Sequence, residues 1–134
     1  MNNYKGIKYL IKQNLRMYFW LAYVKLPKGS ELEKKYFKKG HDGIDLNCHG
    51  GLTFGAIVTK ENVKDYWQEF DEGVWVGWDY GHAGDFVDYG LSFENIDSLS
   101  DKRWEYKEIE AGVKDVIKQI NILTHASQGF EKIK

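Results

Sequence analysis

A single cysteine, Cys48, excludes an internal disulfide framework and any zinc site built from several cysteines, and it suits a reducing compartment. The only proline, Pro27, leaves every segment but its own without that helix and strand breaker. Neither sign of charge is in excess: 19 basic and 20 acidic side chains give a net charge of -1, so no broad field recruits a nucleic-acid polymer or an anionic membrane. Arginine is scarce, with Arg16 and Arg103 as its two examples, and each is a candidate for a two-pronged grip on phosphate or carboxylate. No stretch reaches the roughly 18 apolar residues that a membrane span needs. The lysine-rich start, where charges interrupt Ile7, Leu10 and Ile11 and no small-residue cleavage site follows, does not read as a secretory signal.

What the chain has in quantity is aromatic residues, 16% of 134 positions. Rings supply much of the burial in a small core, and they also make flat walls on which a base or a sugar can stack. Four of them fall in the stretch from Gly73 to Phe86, which starts as a strand. There Val74, Val76 and Trp78 share one face, and Trp75 and Gly77 share the other. The strand then gives way to Asp79, Tyr80, Gly81, His82, Ala83, Gly84 and Asp85. Carboxylates and histidine beside indoles need partners in place of water. Asp and Gly are also what an ordinary strand-to-loop turn uses, so turn capping competes with ligand binding as the reason for the pattern. A second histidine, His49, stands in Asn47-Cys48-His49-Gly50-Gly51-Leu52-Thr53, just before another apolar run.

Taken in order, residues 4 to 16 place Tyr4, Ile7, Leu10, Ile11 and Leu15 at helical spacing, which predicts an N-terminal helical extension over 1–16. A core over 17–123 follows, with a strand from Met17 to Leu26 that stops at Pro27-Lys28-Gly29. Ser30 and Glu33 form a capping box for a short helix that ends near Gly40. Ile44 to Cys48 and Leu52 to Val58 read as short strands joined at His49-Gly50-Gly51, and Thr59 caps a helix over Glu61 to Phe70. Residues 85–101 follow neither period, Trp104 suits a last strand, and Tyr106 to Leu123 carries the stripe Ile109, Val113, Val116, Ile117 and Ile120, weakened at Gly112. A tail over 124–134 closes a single α+β domain, with a mainly antiparallel sheet and a long amphipathic C-terminal helix on one face.

Two segments carry a resemblance. Leu46-Asn47-Cys48-His49-Gly50-Gly51-Leu52-Thr53-Phe54 and Trp75-Val76-Gly77-Trp78-Asp79-Tyr80-Gly81-His82-Ala83-Gly84-Asp85 resemble the HGGLT and GFDxxHAGD-type motifs of a thinly characterised family of small phage and prophage proteins of Gram-positive bacteria. The similarity spans roughly residues 20 to 122. It departs from the family pattern at Ser30, where histidine is usual, and at Cys48, where valine is usual. The resemblance implies a phage context, the host cytoplasm, and an anti-defence role of the kind that sequesters cyclic nucleotide or cyclic ADP-ribose signals.

On that expectation the chain is a non-catalytic, homo-oligomeric binding protein for a small nucleotide-type ligand, with no resident cofactor. Trp75, Trp78, Tyr80 and Phe86 stack a base, at roughly 1–3 kcal/mol per base. Asp79 and Asp85 accept ribose hydroxyls, His49, Arg103 and the Gly50-Gly51 amides meet phosphate, and His82 and Thr53 complete the binding set. An alternative gathers His49, Asp79, His82 and Asp85 around one metal ion in a hydrolase, although a lone Asp-x-x-His-x-x-Asp is a weak pattern. A third reading uses the aromatic surface to inhibit a host protein.

Overall fold

The computed structural model describes residues 2–13, 19–63, 70–81 and 103–133, with side chains to residue 125. Its strands are β1 (Asn2–Tyr4), β2 (Ile7–Gln13), β3 (Trp20–Lys25), β4 (Phe54–Val58) and β5 (Gly73–Asp79), and its helices are α1 (Glu31–Lys39) and α2 (Tyr106–Ile133). The strands form one sheet in the order β1-β2-β3-β5-β4 with every pair antiparallel. This is the α+β architecture expected, with α2 as the long C-terminal helix.

The N-terminal helix expected over 1–16 is corrected: residues 2–13 are a β-hairpin that belongs to the sheet. Lys5 and Gly6 both have positive φ, 49° and 84°, and Tyr4 pairs with Ile7, so the two residues make the tight turn whose twist suits a hairpin. Ile7, Tyr9 and Ile11 alternate onto the helix-covered face, and Leu10 is buried on the other. The apolar set Tyr4, Ile7, Leu10 and Ile11 fits a helical period. Adding Tyr9 makes it fit the strand period equally well, and the turn decides between them.

The helix-capping signals hold. Ser30 Oγ accepts a hydrogen bond from the Glu33 N–H at 3.2 Å, and Gly40 ends α1 with φ 68°. Thr59 and Asn62 exchange hydrogen bonds that start the expected cap, while residues 64–69 of that helix lie outside the described residues. Among residues 103–105, where a last strand was expected at Trp104, the backbone is irregular.

The sheet carries a core on each face. On one, Val74, Val76 and Trp78 of β5 meet Ile109, Val113, Val116, Ile117 and Ile120 of α2, all but fully buried. Each such aliphatic side chain stabilises the fold by about 1.5–3 kcal/mol relative to exposure. On the other face, Leu10, Tyr23, Ala56, Val58, Phe70 and Trp75 form a second cluster. The two-faced reading of β5 is therefore correct in detail, and its C-terminal end delivers side chains to both layers.

Candidate functional site

Where β5 runs out, Tyr80 continues the Trp78 face, and its N–H donates to the Trp20 carbonyl at 2.9 Å. The Trp78 indole N–H donates to the Tyr80 hydroxyl at 3.1 Å, which fixes that ring against the floor. His49 lies flat on Tyr80, with ring centroids 4.7 Å apart and an interplanar angle of 5°. Trp104 leans on both rings, 4.8 Å from each. Its own position is held from the sheet, because the Trp20 indole N–H donates to the Trp104 carbonyl at 3.0 Å.

These rings wall a cavity of about 310 Å³, closed on the opposite side by Glu108, Gly112 and Asp115 of α2 and at its rim by Asn47 and Cys48. The helix passes over the ring at Gly112, where a Cβ would stand 3.5 Å from the Tyr80 hydroxyl oxygen, an ordinary van der Waals distance.

The loop that carries His49 is built in an unexpected way. Ile44 and Leu46 are buried and Asp45 and Asn47 are exposed, so the strand period is real, yet 44–48 is not a strand. Its hydrogen-bonding partner is a side chain. Gln119 on α2 accepts from the Asn47 N–H at 2.8 Å and donates to the Asn47 carbonyl at 2.8 Å, standing in for one rung of a ladder. The loop then turns through Gly50 and Gly51, with φ of 70° and 80°, closed by the Gly51 N–H donating to the Cys48 carbonyl at 3.0 Å. Thr53 rejoins the sheet by donating its N–H to the Gly77 carbonyl at 2.9 Å.

Of the expected site residues, His49, Trp78 and Tyr80 come together at the cavity, with Gly50 and Gly51 in the turn beside it. Trp75 does not join them. It is fully buried in the second core, edge-on to Phe70 at 4.8 Å, with its indole N–H given to the Asp71 carbonyl. Asp79 also faces away from the cavity, since consecutive strand residues point to opposite sides. Its Oδ1 accepts from the Gly81 N–H at 3.0 Å and its Oδ2 from the Thr53 hydroxyl at 3.2 Å, which is the turn-capping role. Arg103 is exposed and does not line the cavity. His82, Asp85 and Phe86 lie outside the described residues.

This separation bears on the metal reading. His49 stacks on Tyr80 and Asp79 caps the turn at Gly81, while His82 and Asp85, the other members of that set, lie outside the described residues. Among the described residues no group of three or more His, Cys, Asp or Glu side chains is arranged to hold a metal. Burial pushes the Cys48 thiol up to about 11 despite the Gly51 backbone hydrogen bond that opposes it, which keeps the sulfur protonated and a poor nucleophile at neutral pH.

Sequence reasoning passed over Trp104, Glu108, Gly112 and Asp115. A signal existed for three of them: 108, 112 and 115 recur at helical spacing beside the apolar stripe, with a glycine in the middle of a helix. Trp104 had none, because its place depends on the Trp20 indole, 84 residues away. Comparison with protein-family models, with curated proteins and with solved structures finds no match to the chain.

Proposed function

We propose that the protein binds and sequesters a small nucleotide-type immune signal, a cyclic oligonucleotide or a cyclic ADP-ribose isomer, and acts for a phage in the host cytoplasm. The observation that carries this reading is the cavity walled by His49, Tyr80 and Trp104. Three rings in mutual contact at an open depression offer the flat surface that a nucleobase needs. Its volume of about 310 Å³ lies at the small end of ligand sites, enough for one base or nucleoside unit. A larger cyclic signal would extend beyond it, toward a neighbouring copy of the chain in a homo-oligomer. Binding without turnover fits a site whose cysteine is a neutral thiol. The phage context comes from the HGGLT and GFDxxHAGD-type motifs, the first of which supplies the cavity's His49. No helix among the described residues is long and apolar enough to cross a membrane.

Thermal-shift and calorimetric titrations against cyclic dinucleotides, cyclic trinucleotides and cyclic ADP-ribose isomers test the proposal. A ligand at 100 times its Kd stabilises the fold by about 2.7 kcal/mol, a readily measured rise in Tm. The bound molecule should be recovered intact by chromatography after denaturation. No shift with any of these compounds would sink the binding reading, and recovery of a cleaved product would turn it into an enzyme.

A further inference from the structure

The segment that brings His49 to the cavity takes its backbone order from a side chain of α2. Gln119 stands half-buried one turn beyond Asp115, and its carboxamide makes three hydrogen bonds: Oε1 accepts the Asn47 N–H at 2.8 Å, and Nε2 donates to the Asn47 carbonyl at 2.8 Å and to Asp115 Oδ2 at 3.2 Å. An amide rotated by half a turn would set a donor against the Asn47 N–H and its oxygen against both the Asn47 carbonyl and the Asp115 carboxylate, so these partners select a single orientation. From Asn47 the chain has two residues to run to His49, and the Gly51 N–H on the Cys48 carbonyl closes the turn that follows. The result is a path of directional contacts from α2 to the rings: Asp115 to Gln119, Gln119 to Asn47, and Asn47 through Cys48 to His49, which lies on Tyr80 and against Trp104. Asn47, Cys48, His49 and Asp115 line the cavity, and Gln119 is not among its described lining residues.

We propose that Gln119 is a positioning residue of this cavity: it acts through Asn47, holding the segment so that the His49 ring stays stacked on Tyr80 before any molecule binds. The proposal rests on the reading of the cavity as a binding site for a nucleotide-type molecule, and it names the residue that keeps the site preformed. A site formed only part of the time binds with its intrinsic affinity multiplied by the fraction formed, so a chain with His49 in place about one-tenth of the time loses about tenfold. Ile44 and Leu46 anchor the start of the segment in the core, so release of Asn47 disturbs the cavity wall without unfolding the domain. The two bonds to Asn47 are thus a small part of the fold's stability and a large part of the order at His49.

Gln119→Glu keeps the size of the side chain, removes its donor and sets a carboxylate against the Asn47 carbonyl and Asp115. In the full chain, the NMR shifts of the His49 ring protons, assigned by their loss in His49→Gln, read the stack with no compound added, because protons held over the Tyr80 face move upfield. Calorimetry with cyclic di-GMP, cyclic tri-AMP and cyclic ADP-ribose reads the cavity. Gln119→Glu should return the His49 shifts to those of an unstacked imidazole and weaken whichever of the three compounds binds the wild type by about tenfold or more. Should that variant not fold, Gln119→Met, which removes both hydrogen-bonding groups and adds no charge, takes its place with the same expected readings. Asp71→Asn, which breaks the ion pairs with Lys8 and Lys25 on the other face of the sheet, is the comparison: it should lower the melting temperature and leave the His49 shifts and the affinity as they are. Unchanged His49 shifts in the Gln119 variant, a lost stack with undiminished affinity, or the same losses in Asp71→Asn would overturn the positioning role. If none of the three compounds binds the wild type while the shifts still move in the Gln119 variant alone, the positioning of His49 stands and the nucleotide reading falls.

Discussion

Glycine in the middle of α2 is a cost that the fold alone does not explain, and replacing it separates stability from binding. In a helix interior, Gly112→Ala should stabilise by about 0.5–1 kcal/mol, because alanine loses less backbone freedom on folding. Nothing in the surroundings opposes the new methyl: its nearest contact would be the Tyr80 hydroxyl oxygen at 3.5 Å, an ordinary van der Waals distance. With an unfolding entropy of about 2.1 cal/mol/K per residue, 134 residues give roughly 280 cal/mol/K, so Tm should rise by about 2–4 °C. The same methyl stands over the floor of the cavity, between the rings and the helix. Ligand affinity should therefore fall, by about three- to tenfold if the crowding costs on the order of 1 kcal/mol. Circular-dichroism melts give the first quantity and calorimetry with the best nucleoside or cyclic ligand gives the second. A fall in Tm would show that the helix is more tightly seated than its geometry implies. A rise in Tm with unchanged affinity would refute the reasoning that the glycine serves the cavity.

Other outcomes follow from the same geometry. Gln119→Leu should cost about 0.5–1.5 kcal/mol, by removing the amide that now pairs with both the exposed Asn47 N–H and its carbonyl, and amide exchange at Asn47 should accelerate; unchanged exchange would show that the clamp is not what orders the loop. At Asp71, burial pushes the carboxyl up but hydrogen bonds from Lys8 and Lys25 outweigh it and hold it below the ordinary carboxylate range. The stabilisation is therefore present above about pH 4 and lost as pH falls through the lowered value, so Asp71→Asn should lower Tm at pH 7 and match the wild type in strong acid, a convergence that pH-dependent melts can check. Because folding favours the neutral Cys48 thiol, its contribution is complete below pH 9 and declines toward about 11, and iodoacetamide should modify the folded chain slowly at pH 8, with a rate that climbs only as pH nears 11. Rapid alkylation at pH 8 would contradict that burial.

The sequence showed most clearly those features whose cause is local. The α1 cap at Ser30 and Glu33, the two faces of β5 and the apolar stripe of α2 each follow from spacing within a few residues, and each is where the pattern put it. The hairpin at Lys5-Gly6 was also written locally, but its apolar residues satisfied two periods at once and the lysine at positive φ is an unusual occupant of such a turn. Half of the cavity was visible through His49, Trp78 and Tyr80, because strand alternation and paired glycines mark it. The other half depends on contacts that no short window contains: the Gln119 amide on Asn47 crosses 72 residues and the Trp20 indole on Trp104 crosses 84. Asp79 shows where spacing is silent, since a carboxylate at a strand end looks the same in sequence whether it meets a ligand or caps its own turn.

The way α2 divides its surface has a consequence for how such a protein could change. Its core-facing positions, Ile109, Val113, Val116 and Ile117, and its cavity-facing positions, 108, 112 and 115, are separate columns of the same rod. Substitutions in the second column alter the charge and depth of half the recess without disturbing the packing that keeps the helix seated. The shape and charge of that recess could thus be retuned at three codons within one 28-residue helix, holding the aromatic half as a constant template.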